Sequence, residues 1–169
     1  MAKKEEIEAK KQGVVTGWAK QNKMCAEGQT WWKENTGSTD ADLNIQKLKE
    51  AKKYEWCCWF IMKMLPQNEQ VDFVTYAMDK MVNAVAPDDM DLHDAVNVAK
   101  TKIQNDICMK SLEKKVISRI HDAALMLINV TFKYDEKMCQ KISHIVFSRV
   151  DETIQEDLMN YCIKLYEEE

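Results

Sequence analysis

Hydrophobic residues recur along this chain at spacings of three and four, which predicts amphipathic helices rather than alternating strands. The first apolar stripe consists of Ile7, Val14, Trp18 and Cys25. Because these positions share one helical face, they predict a first helix over residues 2–27. Residues 28–39 contain two glycines and several turn-forming residues, and we expect them to form the longest irregular connection. Residues 1–38 are thus predicted to hold an N-terminal helix and a tryptophan-containing connection.

Residues 39–169 are interpreted as the core bundle. A second helix is predicted from Thr39, which forms an approximate capping box with Asp42, to Pro66, because proline interrupts a helix. Its second half, YEWCCWFIMKML, is apolar nearly all round, which is typical of a helix surrounded by other helices. A third helix, capped by Asn68, is predicted to end before Pro87.

The later helices are less sharply bounded by the sequence. Residues 88–134 contain neither glycine nor proline, so the pattern leaves open whether they form one helix or two. We place a break between Asp106 and Ser111, with Ser111 as the cap of the second helix. Asp135 is predicted to cap the next helix, and a final helix begins near Asp151.

Composition supports a helical fold. The chain has only 4 Gly and 2 Pro among 169 residues, too few for the frequent tight turns of a β-sandwich or barrel. We therefore predict an all-α fold, a single-domain helical bundle of about six to seven helices over residues 1–169.

Charge argues against a surface that tracks nucleic-acid phosphates. The 24 Lys and Arg residues face 28 Asp and Glu residues, for a net charge of -4, and only Arg119 and Arg149 carry a guanidinium. The balance is uneven, with a net charge of +3 over residues 1–53 and -7 over residues 54–169. A nucleic-acid partner is therefore not favoured.

The start MAKKEEIEAKK has no apolar core of a signal peptide, and no apolar run approaches the roughly 20 residues of a membrane span. Six cysteines in a chain without a secretory signal are expected to be reduced thiols. We expect a cytoplasmic protein with no membrane partner.

Two of the three histidines precede an aspartate, in the stretches HDAVNVAKTKI and RIHDAAL. These stretches resemble the helical HD-domain phosphohydrolases, in which His-Asp pairs ligate a divalent metal. The resemblance implies His93, His121 and Asp122 as metal ligands. It breaks down after Asp122, where the apolar run AALMLI replaces the small-residue turn of that family. A structural histidine is the favoured interpretation, and we expect neither a metal nor a cofactor.

Other catalytic motifs are absent from the sequence. No residue three before a histidine is a glutamate, no C-x-x-C occurs, and neither a phosphate-binding glycine loop nor G-x-S-x-G is present. The sequence therefore favours a protein without enzymatic activity.

All five tryptophans lie before residue 60. Those at positions 56 and 59 are interpreted as core, whereas Trp31 and Trp32 lie in the predicted polar connection. An exposed tryptophan with a lysine rim suits an acidic partner surface. The predicted partner-binding residues are Trp18, Trp31, Trp32, Lys20 and Lys23. The alternative is that Trp31 and Trp32 fold back as a lid over the bundle.

We accordingly expect a non-enzymatic protein-protein interaction module, with the size and charge of small acidic inhibitors, immunity proteins or antidefence proteins. One alternative is a helical subunit of a nucleic-acid effector complex. Its lysine face would come from the N-terminal lysines with Lys47, Lys49, Lys52 and Lys53. The other alternative is an HD-like metal-dependent phosphohydrolase. The partner and the oligomeric state are left open.

Overall fold

A computed structural model describes residues 2–103, 110–112 and 118–168 of the chain. Within these ranges all regular secondary structure is helical and no β-strand occurs, which confirms the predicted all-α class. The helices with both ends in these ranges are α1 (Ala2–Gln12), α2 (Trp18–Gln21), α3 (Ala26–Asn35), α4 (Ala41–Glu50), α5 (Tyr54–Met64), α6 (Gln67–Val85), α7 (Met90–Thr101), α8 (Arg119–Phe132), α9 (Glu136–Phe147) and α10 (Glu152–Glu167). Residues 110–112 are also helical. The predicted six to seven helices are too few, because several predicted helices are broken.

The chain forms two compact units. Unit 1 comprises Met1–Pro66 and Cys162–Glu169, and unit 2 comprises Gln67–Tyr161. Helices α1 to α5 thus belong to unit 1 and α6 to α9 to unit 2, while α10 begins in unit 2 and ends in unit 1. The single-domain organisation stays a prediction.

The predicted helix over residues 2–27 is wrong as one element. Helix α1 ends at Gln12, and Gly17 has a φ of 82° at the start of α2, where residues with a side chain are strained. The predicted irregular connection over residues 28–39 is also wrong in part, because α3 extends to Asn35. The glycines therefore break the first predicted helix rather than lie within it.

Lysines in the left-handed conformation end two of the helices in unit 1. Lys52 has a φ of 54°, and its amide donates to the carbonyl of Lys49 at 3.0 Å. The next amide, that of Lys53, donates to the carbonyl of Leu48 at 2.9 Å, which completes a Schellman motif after α4. Lys23, with a φ of 62°, ends α2 in the same way. The predicted second helix is therefore two helices, α4 and α5.

Helix α5 supplies much of the core of unit 1, as its apolar sequence predicts. It packs against α1 and α4. Its buried residues are Tyr54, Cys57, Cys58, Phe60, Ile61, Met62 and Met64. Unlike a fully surrounded helix, α5 also has one half-buried side, which is described below.

In unit 2, α6 packs against α7, α8 and α9, and α8 packs against α7 and α9. The prolines end helices as predicted, since α5 ends two residues before Pro66 and α6 two residues before Pro87. None of the helices in the described ranges has a stretch long and apolar enough to cross a bilayer.

Several caps differ from the predicted ones. Asp135 caps α9 as predicted, through its carboxylate and the amide of Met138 at 3.0 Å. Asp40, rather than Thr39, caps α4. Residues 88–134 do not form one helix, because α7 ends at Thr101 and α8 begins after its cap, Ser118.

Ser111 does not cap a helix. It lies within the helical residues 110–112, and its hydroxyl donates to the carboxylate of Asp91 at 2.9 Å. The break predicted before it, from Asp106, falls mostly outside the described residues.

Candidate functional site

The structure separates the predicted partner-binding residues by burial. Trp18 and Trp32 are each only 5% exposed, so neither ring can anchor a partner on the surface. Trp31 is half-buried, and Lys20 and Lys23 are exposed. Trp31 and Trp32 therefore differ in exposure, because one face of α3 points into unit 1 and the other does not.

An aromatic cluster accounts for the buried pair. The ring of Trp18 stacks on Trp32 with centroids 5.8 Å apart and meets the edge of Phe60 at 4.9 Å. Trp32 also lies 5.1 Å from Phe60. Trp59 reaches this cluster from α5, with its centroid 5.5 Å from that of Trp18. Trp32 therefore covers the core, as the lid alternative describes.

Three tryptophans remain half-buried, and they form one surface. Trp56 and Trp59 lie one turn apart on α5, on the same side of the helix. Trp31 of α3 adjoins them, with its ring centroid 6.0 Å from that of Trp56. Indole surface from two helices is thus left accessible in one place.

A lysine lies at each end of this surface. The ammonium of Lys53 lies 4.8 Å from the ring centroid of Trp56, and that of Lys63 lies 5.8 Å from the ring centroid of Trp59. Both distances fall within the range of cation-π attraction. We call this surface the tryptophan-lysine stripe: Trp56, Trp59 and Lys63 of α5, Lys53 immediately before α5, and Trp31 of α3.

The spacing of the α5 members explains why they share one side. Positions 56, 59 and 63 are separated by three and four residues, so they project from the same side of α5, and Lys53 is the residue that precedes the helix. Ten residues of helix rise correspond to about 15 Å between the two lysine backbones. The remaining sides of α5 are buried, apart from half-buried Glu55.

Sequence reasoning missed Trp56 and Trp59, which were interpreted as core. The segment YEWCCWFIMKML is apolar on every side, so its pattern does not show which side faces solvent. The signal that could have found the stripe is the pair of lysines, Lys53 and Lys63, in register with the two tryptophans. Lysine is almost never fully buried, so its register marks the side that reaches water.

The histidines of unit 2 make structural hydrogen bonds. The Nε2 atom of His121 lies 3.1 Å from Oδ2 of Asp89, and its Nδ1 lies 2.8 Å from the hydroxyl of Ser118. Nε2 of His93 lies 2.8 Å from the carbonyl oxygen of Pro87. Among the residues that the structure describes, no three His, Cys, Asp or Glu side chains group as a metal site, so His93, His121 and Asp122 are not brought together as one.

Three of the lysines proposed for a nucleic-acid face, Lys4, Lys11 and Lys49, lie among carboxylates. Between α1, α4 and the end of α10, unit 1 has a groove of about 530 Å³. Its charged lining residues are Lys4, Lys11, Lys49, Glu8, Asp42, Glu167 and Glu168. Such an alternation of sign does not provide the continuous positive track that a phosphate backbone requires.

Hydrogen bonds within the groove tie the helices of unit 1 together. The hydroxyl of Tyr166 donates to Asp42 at 2.6 Å, and Lys11 pairs with Asp42 at 3.3 Å and Glu8 at 2.9 Å. Burial, with the bond to Asp42, raises the pKa of Tyr166. Burial alone would lower the pKa of Lys11, but hydrogen bonds to Glu8 and Tyr166 outweigh it and raise that pKa. Both groups thus keep their neutral-pH protonation states, which suits a structural network.

The described cysteines are free thiols. Cys57, Cys58, Cys139 and Cys162 are buried, and Cys25 is exposed. Burial raises the pKa of Cys57 and raises that of Cys139 to about 12, so these thiols stay protonated near neutral pH and are poor nucleophiles.

The comparisons with known proteins add no assignment: no protein-family model, curated protein or solved structure matches the chain.

Proposed function

We propose that this protein binds a partner protein through the tryptophan-lysine stripe and performs no chemistry of its own. The observation that carries the proposal is the accessible surface of Trp31, Trp56 and Trp59, which lies together on unit 1 between two lysines. Tryptophan is the residue type most enriched at the energetic centres of protein interfaces.

The buried aromatic residues next to the stripe support this proposal. Trp18, Trp32 and Phe60 fill the core beneath Trp59, so the stripe rests on closely packed rings. A surface held by packed side chains loses little conformational entropy when it binds. The half-buried indoles can therefore contribute their remaining apolar area to a partner at low cost.

The charge of the stripe favours an acidic partner surface. Lys53 and Lys63 lie beside Trp56 and Trp59, whereas exposed Glu27 and Glu34 lie one turn from Trp31 on α3. The acidic preference is therefore proposed for the part of the stripe that surrounds Trp56 and Trp59. Positive groups around an apolar centre speed encounter with a negative patch and help to fix its orientation.

A protein partner is favoured over nucleic acid, the second candidate. Both arginines lie in unit 2, so the stripe lacks the fork-shaped donor that pairs with phosphates and base edges. Of the other proposed lysines, Lys4, Lys11 and Lys49 line the groove of unit 1 together with four acidic residues. As a small acidic helical protein, the chain fits the role of an inhibitor, immunity protein or antidefence protein, an analogy of size and charge.

Affinity capture with wild-type protein and with Trp56→Ala as paired baits tests the proposal. A partner that uses the stripe is retained by the wild type and depleted with the variant. Measured by calorimetry with the purified partner, Trp56→Ala is expected to weaken binding by about 2 kcal/mol or more, roughly 30-fold.

Leu43→Ala is the matched control, because Leu43 is 40% exposed on α4 of the same unit and lies outside the stripe. It is expected to leave affinity unchanged. A purified partner that binds Trp56→Ala as tightly as wild type would contradict the proposed site.

A further inference from the structure

Charges of both signs border one pair of indoles in the stripe. On α3, Glu27 precedes Trp31 by one turn and Glu34 follows it by one turn, so these exposed carboxylates lie on the same side of the helix as the indole. The ammonium of Lys53 lies 4.8 Å from the ring centroid of Trp56. Because the centroids of Trp31 and Trp56 are 6.0 Å apart, the acidic and the basic groups belong to one surface.

These three charges remain available to a partner. Among the residues that the structure describes, Glu27, Glu34 and Lys53 form no salt bridge. A complementary surface therefore needs positive groups opposite α3 and a negative group opposite Lys53. It also needs apolar surface to cover the indoles.

We propose that this complementary surface is the stripe of a second copy of the chain, an inference that rests on the proposed function above. In a dimer with two-fold symmetry every contact occurs twice, so a surface that carries both signs can satisfy both of them at once. Lys53 of each protomer then faces the carboxylates of α3 on the other, and the indoles of Trp31 and Trp56 pack across the symmetry axis.

Charge complementarity selects a second copy over a partner of one sign. A uniformly acidic segment would meet Glu27 and Glu34 with like charge, and a uniformly basic one would meet Lys53 with like charge. A second copy brings both signs on the two sides of the same aromatic pair. The acidic surface that the lysine side of the stripe favours is then α3 of the second protomer.

The charge of unit 1 also permits self-association. Unit 1 contains 13 basic and 12 acidic residues, although the whole chain has a net charge of -4. Two copies that approach through this unit therefore experience little net repulsion.

Self-association of the full-length protein is measured by analytical ultracentrifugation in a concentration series up to about 100 μM. The wild type is expected to form a dimer. Lys53→Glu is expected to weaken the dimer at least about tenfold, because the new carboxylate faces those of α3. The double variant Glu27→Lys, Glu34→Lys should weaken it by a similar factor. The control Lys47→Glu, at an exposed lysine of unit 1 outside the stripe, should leave the dimer unchanged.

A mixture of the two charge-reversed proteins distinguishes lost pairing from lost structure. In a mixed dimer, α3 of Lys53→Glu faces the unchanged Lys53 of the double variant, and the introduced lysines face the introduced glutamate. The mixture is therefore expected to associate at least about tenfold more tightly than either variant alone. A fluorophore on one variant identifies the mixed species, and circular dichroism verifies the helical content of both.

The outcomes separate this inference from the proposed function. A wild type that stays monomeric, a dimer that Lys53→Glu leaves intact, or reversed variants that do not associate when mixed would each overturn self-pairing. If the protein is monomeric and Trp56→Ala depletes a different protein from the affinity capture, the proposed function stands and the stripe binds that protein. If neither self-association nor capture depends on Trp56, both are overturned.

Discussion

Trp31 and Trp32 are neighbours in sequence, yet α3 places their indoles in different surroundings. Trp32 is 5% exposed and contacts Trp18 and Phe60, whereas Trp31 is half-buried beside Trp56. Consecutive residues on a helix point about 100° apart, so one can face the core while the next borders solvent. The stability of the fold and the proposed binding surface thus depend on adjacent residues.

Trp32→Ala is expected to lower the free energy of unfolding by about 3 to 5 kcal/mol, because it leaves a cavity among packed rings. Trp31→Ala, as the matched comparison, should cost less than about 2 kcal/mol. Urea denaturation followed by circular dichroism measures both. Equal losses in the two variants would contradict the separation of the two side chains.

Lys52 shows how a single backbone conformation ends a helix. Its φ of 54° is unfavourable for a residue with a Cβ, yet the backbone hydrogen bonds of the Schellman motif hold it in that conformation. Glycine is the residue that normally marks such a position, and its absence hid the end of α4 from the sequence pattern.

Lys52→Gly is therefore expected to stabilise the protein by about 0.5 to 1 kcal/mol, after allowance for the greater freedom of glycine in the unfolded chain. Thermal denaturation measures the change. The control Lys47→Gly, inside α4, should destabilise by about 1 kcal/mol. Destabilisation in both variants would show that Lys52 is not strained.

Among the elements of unit 2, α6 and the segment between α8 and α9 are joined by a polar contact. The hydroxyl of Tyr134 donates to Oε1 of Gln70 at 3.0 Å, and Gln70 is only 3% exposed. Burial, with the charge of Glu136, raises the pKa of Tyr134 to about 12. The packed helices thus favour the neutral phenol.

This shift predicts a loss of stability in alkali. The pKa of Tyr134 is higher in the folded state than its unfolded value of 10.0. The stabilisation that this shift gives the folded state is therefore fully present below pH 10 and is lost as pH rises toward about 12. In urea denaturation at a series of alkaline pH values, the wild type should lose stability more steeply than Tyr134→Phe. Near neutral pH the free energy of unfolding of Tyr134→Phe should be about 1 kcal/mol lower than that of the wild type, which is the net contribution of a hydrogen bond. Parallel pH profiles would contradict the assignment.

Over the full chain, charge and aromatic residues are divided between the two units. Unit 1 contains all five tryptophans, with 13 basic and 12 acidic residues, whereas unit 2 contains 11 basic and 16 acidic residues. The net negative charge of the protein therefore comes from unit 2. The tryptophan-lysine stripe lies on the unit that is close to neutral, so an acidic partner segment approaches it without strong local repulsion.

Stability of the fold is expected to be independent of metal. In the described ranges no His, Cys, Asp or Glu cluster has the form of a metal site, and the buried side chains of both units are mostly apolar. Dialysis against EDTA should leave the helical signal and Tm unchanged, and elemental analysis should find no stoichiometric metal. A lower Tm after dialysis that zinc or manganese restores would refute this expectation.

Local chemistry was enough to predict the all-α class, the helix ends near Pro66 and Pro87 and the cap at Asp135, because these features depend on residues within one turn of each other. The break at Lys52 could not be predicted in this way, and the apolar pattern of α5 alone did not show which of its sides is accessible. A lysine adopts the left-handed conformation only where surrounding contacts hold it. An all-apolar helix exposes whichever side its neighbours leave uncovered, and for α5 that side carries Trp56 and Trp59.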